Sequence, residues 1–243
     1  MKQTILFDLD DTLIHCNKYF YLTIDKFIAQ MEDWFSPYGI EGPDIRKKQM
    51  DIDVQAIHLF GFKRDHFPES FIEAYRFYCD QTGRKRLDTD EKWLWTLGRG
   101  VFDAVAEPYP YMQETLDKLA SDGHELHLYT GGELFIQHRK IERLQLERYF
   151  ESRIYVRQHK NNEALENILA EGRFDRDHTW MIGNSIRTDI VPALTAGIHA
   201  IHMKSEAEWS YNVIQIDVQP RGAFFTLQKL IEVPDTIHQY VRR

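Results

Sequence analysis

The sequence predicts an α/β fold, with a parallel sheet covered by helices on both faces and an all-helical segment inserted near its start. Three observations carry this expectation. Five short apolar runs, Thr4–Phe7, 125–129, 153–156, 178–182 and His199–Met203, each end in polar or turn residues, as buried strands do. Amphipathic stretches alternate with the last four runs. More than 100 residues separate the first run from the second, far beyond a single crossover connection.

Each element has its own local reason. In 111–121, Leu116, Leu119 and Ala120 share one side of a helix, and Asp122-Gly123 supplies its stop. The stretches 134–144 and 163–170 read as amphipathic helices, and 189–196 as a short helix stopped by Gly197. Strand and helix thus alternate, so ligands should meet the carboxyl ends of the strands. In the long insertion, 19–34, 43–59, 68–81 and 91–105 are patterned as helices, with breaks at Pro37/Gly39, Gly61 and Gly83. The expected division is a catalytic core of 1–15 and 106–243 and an α-helical cap of 16–105. Most of the cap's aromatics, among them Tyr19, Phe20, Tyr21, Trp34, Phe35, Trp93 and Trp95, should pack inward.

Composition narrows the function. The 243 residues are 43% hydrophobic and 28% charged, without low-complexity tracts, which is globular. Net charge is −8 and the basic residues are dispersed, which argues against general binding of nucleic acid or anionic membranes. The apolar run before Asp8 is too short for a signal peptide, and no segment approaches a membrane span, so a cytoplasmic location is expected. Cys16 and Cys79 read as unpaired thiols. His124/His127 and His199/His202 lack the HExxH pattern and read as strand or surface positions.

Chemistry concentrates where the strands end. Asp8-Leu9-Asp10-Asp11-Thr12 follows the first strand, and alternation sends Asp8 and Asp10 to the same side. Two close carboxylates repel, and a hard divalent cation such as magnesium resolves that conflict. One carboxylate can then attack phosphorus while the other moves protons. The bland reading of Asp10-Asp11-Thr12 is a turn or helix cap. Thr130-Gly131-Gly132 places a hydroxyl and glycine amides where a phosphate can be met, although an ordinary loop gives the same residues. After the third strand, Lys160 can offset charge on Asp8 and a phosphate, with Arg157 and His159 as rivals for that role. Gly183-Asn184-Ser185 through Asp189 offers amide, hydroxyl and carboxylate oxygens suited to magnesium.

In order, these four segments resemble the haloacid dehalogenase-like hydrolase superfamily over nearly the whole chain, which implies a Rossmann-like three-layer core. Asp8-Leu9-Asp10-Asp11-Thr12 is similar to its first motif, implying Asp8 as nucleophile and Asp10 as general acid/base and a metal ligand through its backbone carbonyl. Thr130, with Gly131, and Lys160 resemble its second and third motifs, which bind phosphate. The run from Gln137 to Phe150 resembles the helix that follows the second motif, and the insertion is similar in place and length to a helical cap of one major subclass. The fourth motif departs: the family usually has Gly-Asp-Ser, whereas this chain has Gly183-Asn184-Ser185. Asn184 can coordinate through its amide oxygen but brings no charge, while Asp189 matches the later acid.

The resemblance implies a magnesium-dependent phosphatase, manganese being possible, with a small phosphorylated metabolite as substrate and no nucleic-acid or membrane partner. Oligomeric state is left open. The dehalogenase branch uses only the first aspartate and no metal, so Asp10 argues against it; a catalytically silent binding protein is the other alternative. Hinges are expected near 15–18 and 101–110, with Asn17, Tyr19, Lys63 and Arg64 as candidate substrate contacts.

Overall fold

The structure is a computed structural model that describes residues 1–205 and 207–242. The chain divides into two compact units, Met1–Asn17 with Ala106–Arg243, and Lys18–Val105.

Along the chain come β1 (Thr4–Phe7), β2 (Ile14–His15), α1 (Asn17–Phe35), α2 (Gly42–Phe60), α3 (His66–Thr82), α4 (Asp88–Gly100) and β3 (Glu107–Pro108). Then follow α5 (Met112–Ser121), β4 (Glu125–Gly131), α6 (Leu134–Arg143), α7 (Glu147–Phe150), β5 (Ile154–Arg157) and α8 (Asn162–Glu171). The last are β6 (Thr179–Gly183), α9 (Val191–Ala196), β7 (His199–Met203), β8 (Phe224–Leu227) and α10 (Val233–Val241).

The larger unit carries a parallel sheet in the order β5-β4-β1-β6-β7-β8. Its central strand shows why both faces must be covered. Ile5, Leu6 and Phe7 are all fully buried, and alternation sends them to opposite sides. Ile5 and Phe7 join Leu116 and Leu119 of α5, Ile141 of α6 and Ile237 of α10. Leu6 joins Leu165 and Ile168 of α8 and Ala193 and Leu194 of α9. Burying an aliphatic side chain of this size stabilises by about 1.5–3 kcal/mol, so the strand that delivers Asp8 is among the best anchored in the chain.

All five expected strands occur, shifted by one or two residues at some ends. Several features escaped the pattern. β8 is a half-buried edge strand that was not among the expected strands, although its run Phe224-Phe225-Thr226-Leu227 is as apolar as that of β1. β2 and β3 pair antiparallel over two residues each, too short for any periodicity. The expected helix 189–196 is a π-helical turn, Ile186–Ile190, running into α9. Beyond β8, α10 opens with Pro234 in its first turn, a favourable helix start.

The smaller unit packs α1–α4 around Phe27, Met31, Phe35, Phe71, Tyr75 and Leu94. Phe27 and Phe71 stack with ring centroids 4.2 Å apart. α3 and α4 approach closely because Gly98 has no side chain; a Cβ there would collide with the backbone of Pro68. Phe35 is buried as expected, but Trp93 is 41% exposed, touching Trp34 only edge-on. Among the described residues, no helix is long and apolar enough to cross a membrane. Both cysteines are free.

Candidate active site

Asp8 lies one residue past β1 and donates its N–H to the Ile182 carbonyl of β6 (2.9 Å), which fixes it at the middle of the sheet's carboxyl edge. The chain then turns sharply. The Leu9 carbonyl accepts from Leu13 (2.9 Å) and Ile14 (3.0 Å), and Asp11 takes a left-handed conformation, φ 59°, which aspartate tolerates better than most residues. The ladder alternation expected to align Asp8 with Asp10 therefore ends at Phe7, and each acid acquires its own surroundings.

Asp8 is 6% exposed. Its Oδ1 accepts from Lys160 Nζ at 2.5 Å and its Oδ2 from the Thr12 hydroxyl at 3.0 Å. Burial pushes its pKa up to about 7; Lys160 opposes that rise and Asp189 adds to it. Burial disfavours the Lys160 ammonium, but Asp189 and Asp8 outweigh it and hold that lysine above its ordinary value. Of the three basic candidates after β5, Lys160 alone is buried; Arg157 is half-buried and His159 exposed. Lys160 Nζ also lies 2.5 Å from Asp189 Oδ1, without the alignment of a hydrogen bond, so this buried oxygen has no hydrogen-bond partner.

The Asp10 side chain is 25% exposed and faces α6. Lys140 Nζ approaches both its oxygens, at 2.7 and 2.8 Å, and Gln137 Nε2 donates to Oδ2 at 2.9 Å. Burial disfavours the Lys140 ammonium, yet Asp10 raises its pKa overall. Gln137 Nε2 also lies 2.6 Å from Thr130 Oγ1 and 2.8 Å from the Gly131 carbonyl, its two protons shared among three acceptors, and so joins the end of β4 to Asp10. The two carboxylates still repel, Asp10 adding to the rise in the Asp8 pKa, but each has its own lysine.

Other expected residues divide their roles. The Gly132 N–H is committed to the Arg157 carbonyl at 3.0 Å, so it cannot serve a phosphate. On β4, Leu128 N also faces β5 and Glu125 N faces β1; by alternation the Gly131 N–H points toward the β1 side, where Asp8 stands. The Ser185 hydroxyl accepts from Thr188 N (3.1 Å) and so caps the turn that follows β6. Asp11 takes the bland reading. It accepts N–H groups of Cys16 (3.1 Å) and Asn17 (2.9 Å) at the start of α1, and burial pushes its pKa up to about 7 against their pull. Asn17 donates its amide to the Ala207 carbonyl at 3.0 Å.

Among the described residues, no three His, Cys, Asp or Glu side chains converge as a metal cluster. The reason is visible: Asp10 turns its carboxylate to α6, and position 184 carries an amide. What remains still fits a hard cation: the Asp8 carboxylate, the Asp10 backbone carbonyl, the Asn184 Oδ1, and an Asp189 Oδ1 that has the Lys160 ammonium beside it but no aligned hydrogen bond. Asp189 can sit there because Gly183 has no Cβ to collide with it, and Ser185 N secures its other oxygen at 3.0 Å.

Gln137, Lys140 and Glu208 were not singled out from the sequence as site residues. Gln137 and Lys140 stand three apart on one helical face beside buried Ile136 and Ile141, a polar interruption that is a readable signal. Glu208, in the segment after β7, reaches Asn184 and had no such signal. Burial raises its pKa, against hydrogen bonds from Asn212, Trp209 and Asn184.

Acids, a buried lysine and an amide gathered at the carboxyl edge of a parallel, helix-covered sheet are the arrangement of a Rossmann-like enzyme. The chain belongs to the haloacid dehalogenase-like hydrolases, whose family model, described as "Hydrolase: haloacid dehalogenase-like hydrolase", matches residues 2–197. No protein of curated function matches it. Among solved structures, a haloacid dehalogenase-like family hydrolase from Xanthomonas campestris aligns with TM-score 0.78 and 24% identity, over 98% of this chain and 91% of that one. The HAD-hydrolase YfnB from Bacillus subtilis, solved bound to magnesium, aligns with TM-score 0.62 and 18% identity, over 97% and 98%. A HAD phosphatase from Thermococcus onnurineus aligns with TM-score 0.56 and 16% identity, over 98% of each chain. Dehalogenases are also among the matched structures.

Proposed function

We propose that this hydrolase is a magnesium-dependent phosphatase that cleaves a small-molecule phosphomonoester through an aspartyl phosphate on Asp8. The observation that carries the reading is the separation of the two acids: Asp8 buried against Lys160, and Asp10 partly open and held by Lys140 and Gln137. An acyl-phosphate route needs one carboxylate that bonds to phosphorus and a second that moves protons without competing for it.

In the first step a carboxylate oxygen of Asp8 attacks phosphorus in line. The bond from phosphorus to the ester oxygen breaks, and Asp10 gives its proton to the departing alcohol. In the second step Asp10 takes a proton from water as that water attacks the same phosphorus. The bond to Asp8 then breaks, and inorganic phosphate leaves. The Thr130 hydroxyl, the Gly131 N–H and the Lys160 ammonium serve the phosphoryl oxygens. Asp8, the Asp10 carbonyl, Asn184 and Asp189 would hold magnesium, or manganese, whose charge stabilises the negative oxygens gathered there. The helical unit then acts as the cap that selects substrate.

A panel of phosphorylated metabolites and 2-haloacids, assayed with magnesium, manganese and chelator, tests this. Phosphate release that requires the cation is expected. Halide release that survives chelator, with no phosphatase activity, would replace the reading with the dehalogenase one; no turnover under any condition would leave a binding protein.

A further inference from the structure

Asn184 occupies the position where the family usually has an acid, and its surroundings leave one group unspent. Its N–H donates to the Thr12 hydroxyl (3.0 Å), and its carbonyl accepts from His202 Nε2 (3.0 Å). Thr12 has a single proton and directs it to Asp8 Oδ2 at 3.0 Å, which leaves Asn184 Oδ1 with only the 3.5 Å approach of that hydroxyl. The side-chain amide Nδ2 faces Glu208 Oε1 at 3.4 Å. That same oxygen is anchored by Asn212 Nδ2 at 2.9 Å and by Trp209 N at 3.2 Å.

Turning the amide over would set its oxygen against a carboxylate, so Glu208 fixes which end of Asn184 is presented to the side of Thr12 and Asp8. It does more than orient. An amide that donates to a carboxylate gains electron density on its oxygen, and the carboxylate lies one residue away from the place where the family's acid would bring its charge. Partners of this kind tune metal affinity by about 10–100-fold.

We propose that Glu208 is a positioning residue that supplies, through Asn184, the negative charge missing from this cation site. The proposal rests on the metal-dependent reading above and deepens it. It accounts for the coexistence of Asn184 with an otherwise complete site, since the acid has been moved from the first contact to the second.

The test is cation binding, read without turnover. Mn2+ affinity is measured by electron paramagnetic resonance, and magnesium by competition, for wild type, E208Q, N184D and N184D/E208Q. E208Q retains an oxygen for Asn212 and Trp209 while removing the charge. It should weaken Mn2+ about tenfold, and N184D/E208Q should return to within about threefold of wild type. Unchanged affinity in E208Q, or no recovery in the double variant, overturns the proposal. Melting curves in chelator add a second readout that survives poor folding of E208Q. N184D alone sets two carboxylates face to face and should melt below wild type, with the loss relieved in N184D/E208Q; strictly additive effects contradict the coupling. A wild-type protein that binds neither cation would instead overturn the metal-dependent reading itself, an outcome distinct from a failure of Glu208.

Discussion

Two lysines serve two aspartates here, and they do so differently. Lys160 sits between Asp8 and Asp189, all three almost completely buried, so its charge acts in a dry setting. Lys140 holds Asp10 from α6 with both side chains about one-fifth to one-quarter exposed. A group that must form and break a bond to phosphorus benefits from a fixed, water-poor setting. One that must exchange protons needs access to solvent or substrate. On the proposed mechanism, the same ion-pair chemistry is split by burial into two tasks.

The largest effects should come from the dry pair. Asp8→Asn is expected to lower kcat by at least about 10^4-fold without unfolding the protein. Its stability effect has a definite sign. Asp8 binds a proton more readily folded, near pH 7, than in an unfolded chain, near pH 3.8. Raising pH through that window therefore costs the metal-free wild type stability, and the full cost is present above about pH 7. In chelator at pH 8 the Asn variant should melt above wild type; a lower melting point would contradict the burial argument. Magnesium should correspondingly stabilise wild type more at pH 8 than at pH 5.5.

Lys160→Met comes next. It leaves two carboxylates buried without their cation, which typically costs about 3–5 kcal/mol, and chemical denaturation should show a loss of that order. The partly exposed pair offers a sharper discrimination at smaller amplitude. In Lys140→Met, kcat should fall about 10–100-fold for an alkyl phosphate, whose leaving group needs a proton. The initial burst from an aryl phosphate with a good leaving group should change little. Equal losses on both substrates would mean that Lys140 supports the fold and not Asp10.

The smallest expected effect lies away from the site. His199 Nδ1 accepts from Ala223 N (2.8 Å), so its Nε2 must carry the proton donated to the Asp177 carbonyl (2.8 Å). A second proton would break the first of these bonds, and burial likewise lowers the pKa of both His199 and His127. As pH falls through about 6.5, the unfolded chain takes up these protons before the folded one does. Stability should be intact above that value and decline below it, with a shallower decline in His199→Gln, measured by denaturant titration at pH 7 and 5.5.

The contrast between the two pairs also explains what could be read from the sequence. Asp8, Lys160 and Asn184 follow strands and Thr130 lies near the end of one, where apolar runs stop abruptly, so their place at the sheet edge was legible. The partners of Asp10 were not, because Lys140 lies on a helix whose polar residues are mostly solvated surface, and only the folded α6 shows which of them turn inward. Glu208 was hidden more deeply. It stands in a segment with no periodicity, 24 positions from the Asn184 it touches. The edge strand β8 was legible in principle, since Phe224, Phe225 and Leu227 make it as apolar as β1.

The division of labour stands or falls on where phosphorus is bound. Asp10→Asn, which keeps Asp8 but loses the group that activates water, should accumulate phosphoenzyme when mixed with a hydrolysable aryl phosphate and magnesium. After acid quench and borohydride reduction, mass spectrometry should find the modification on the peptide containing Asp8, as homoserine. Turnover by wild type with no label on that peptide in either protein, or label on another residue, would contradict the assignment of Asp8 as nucleophile.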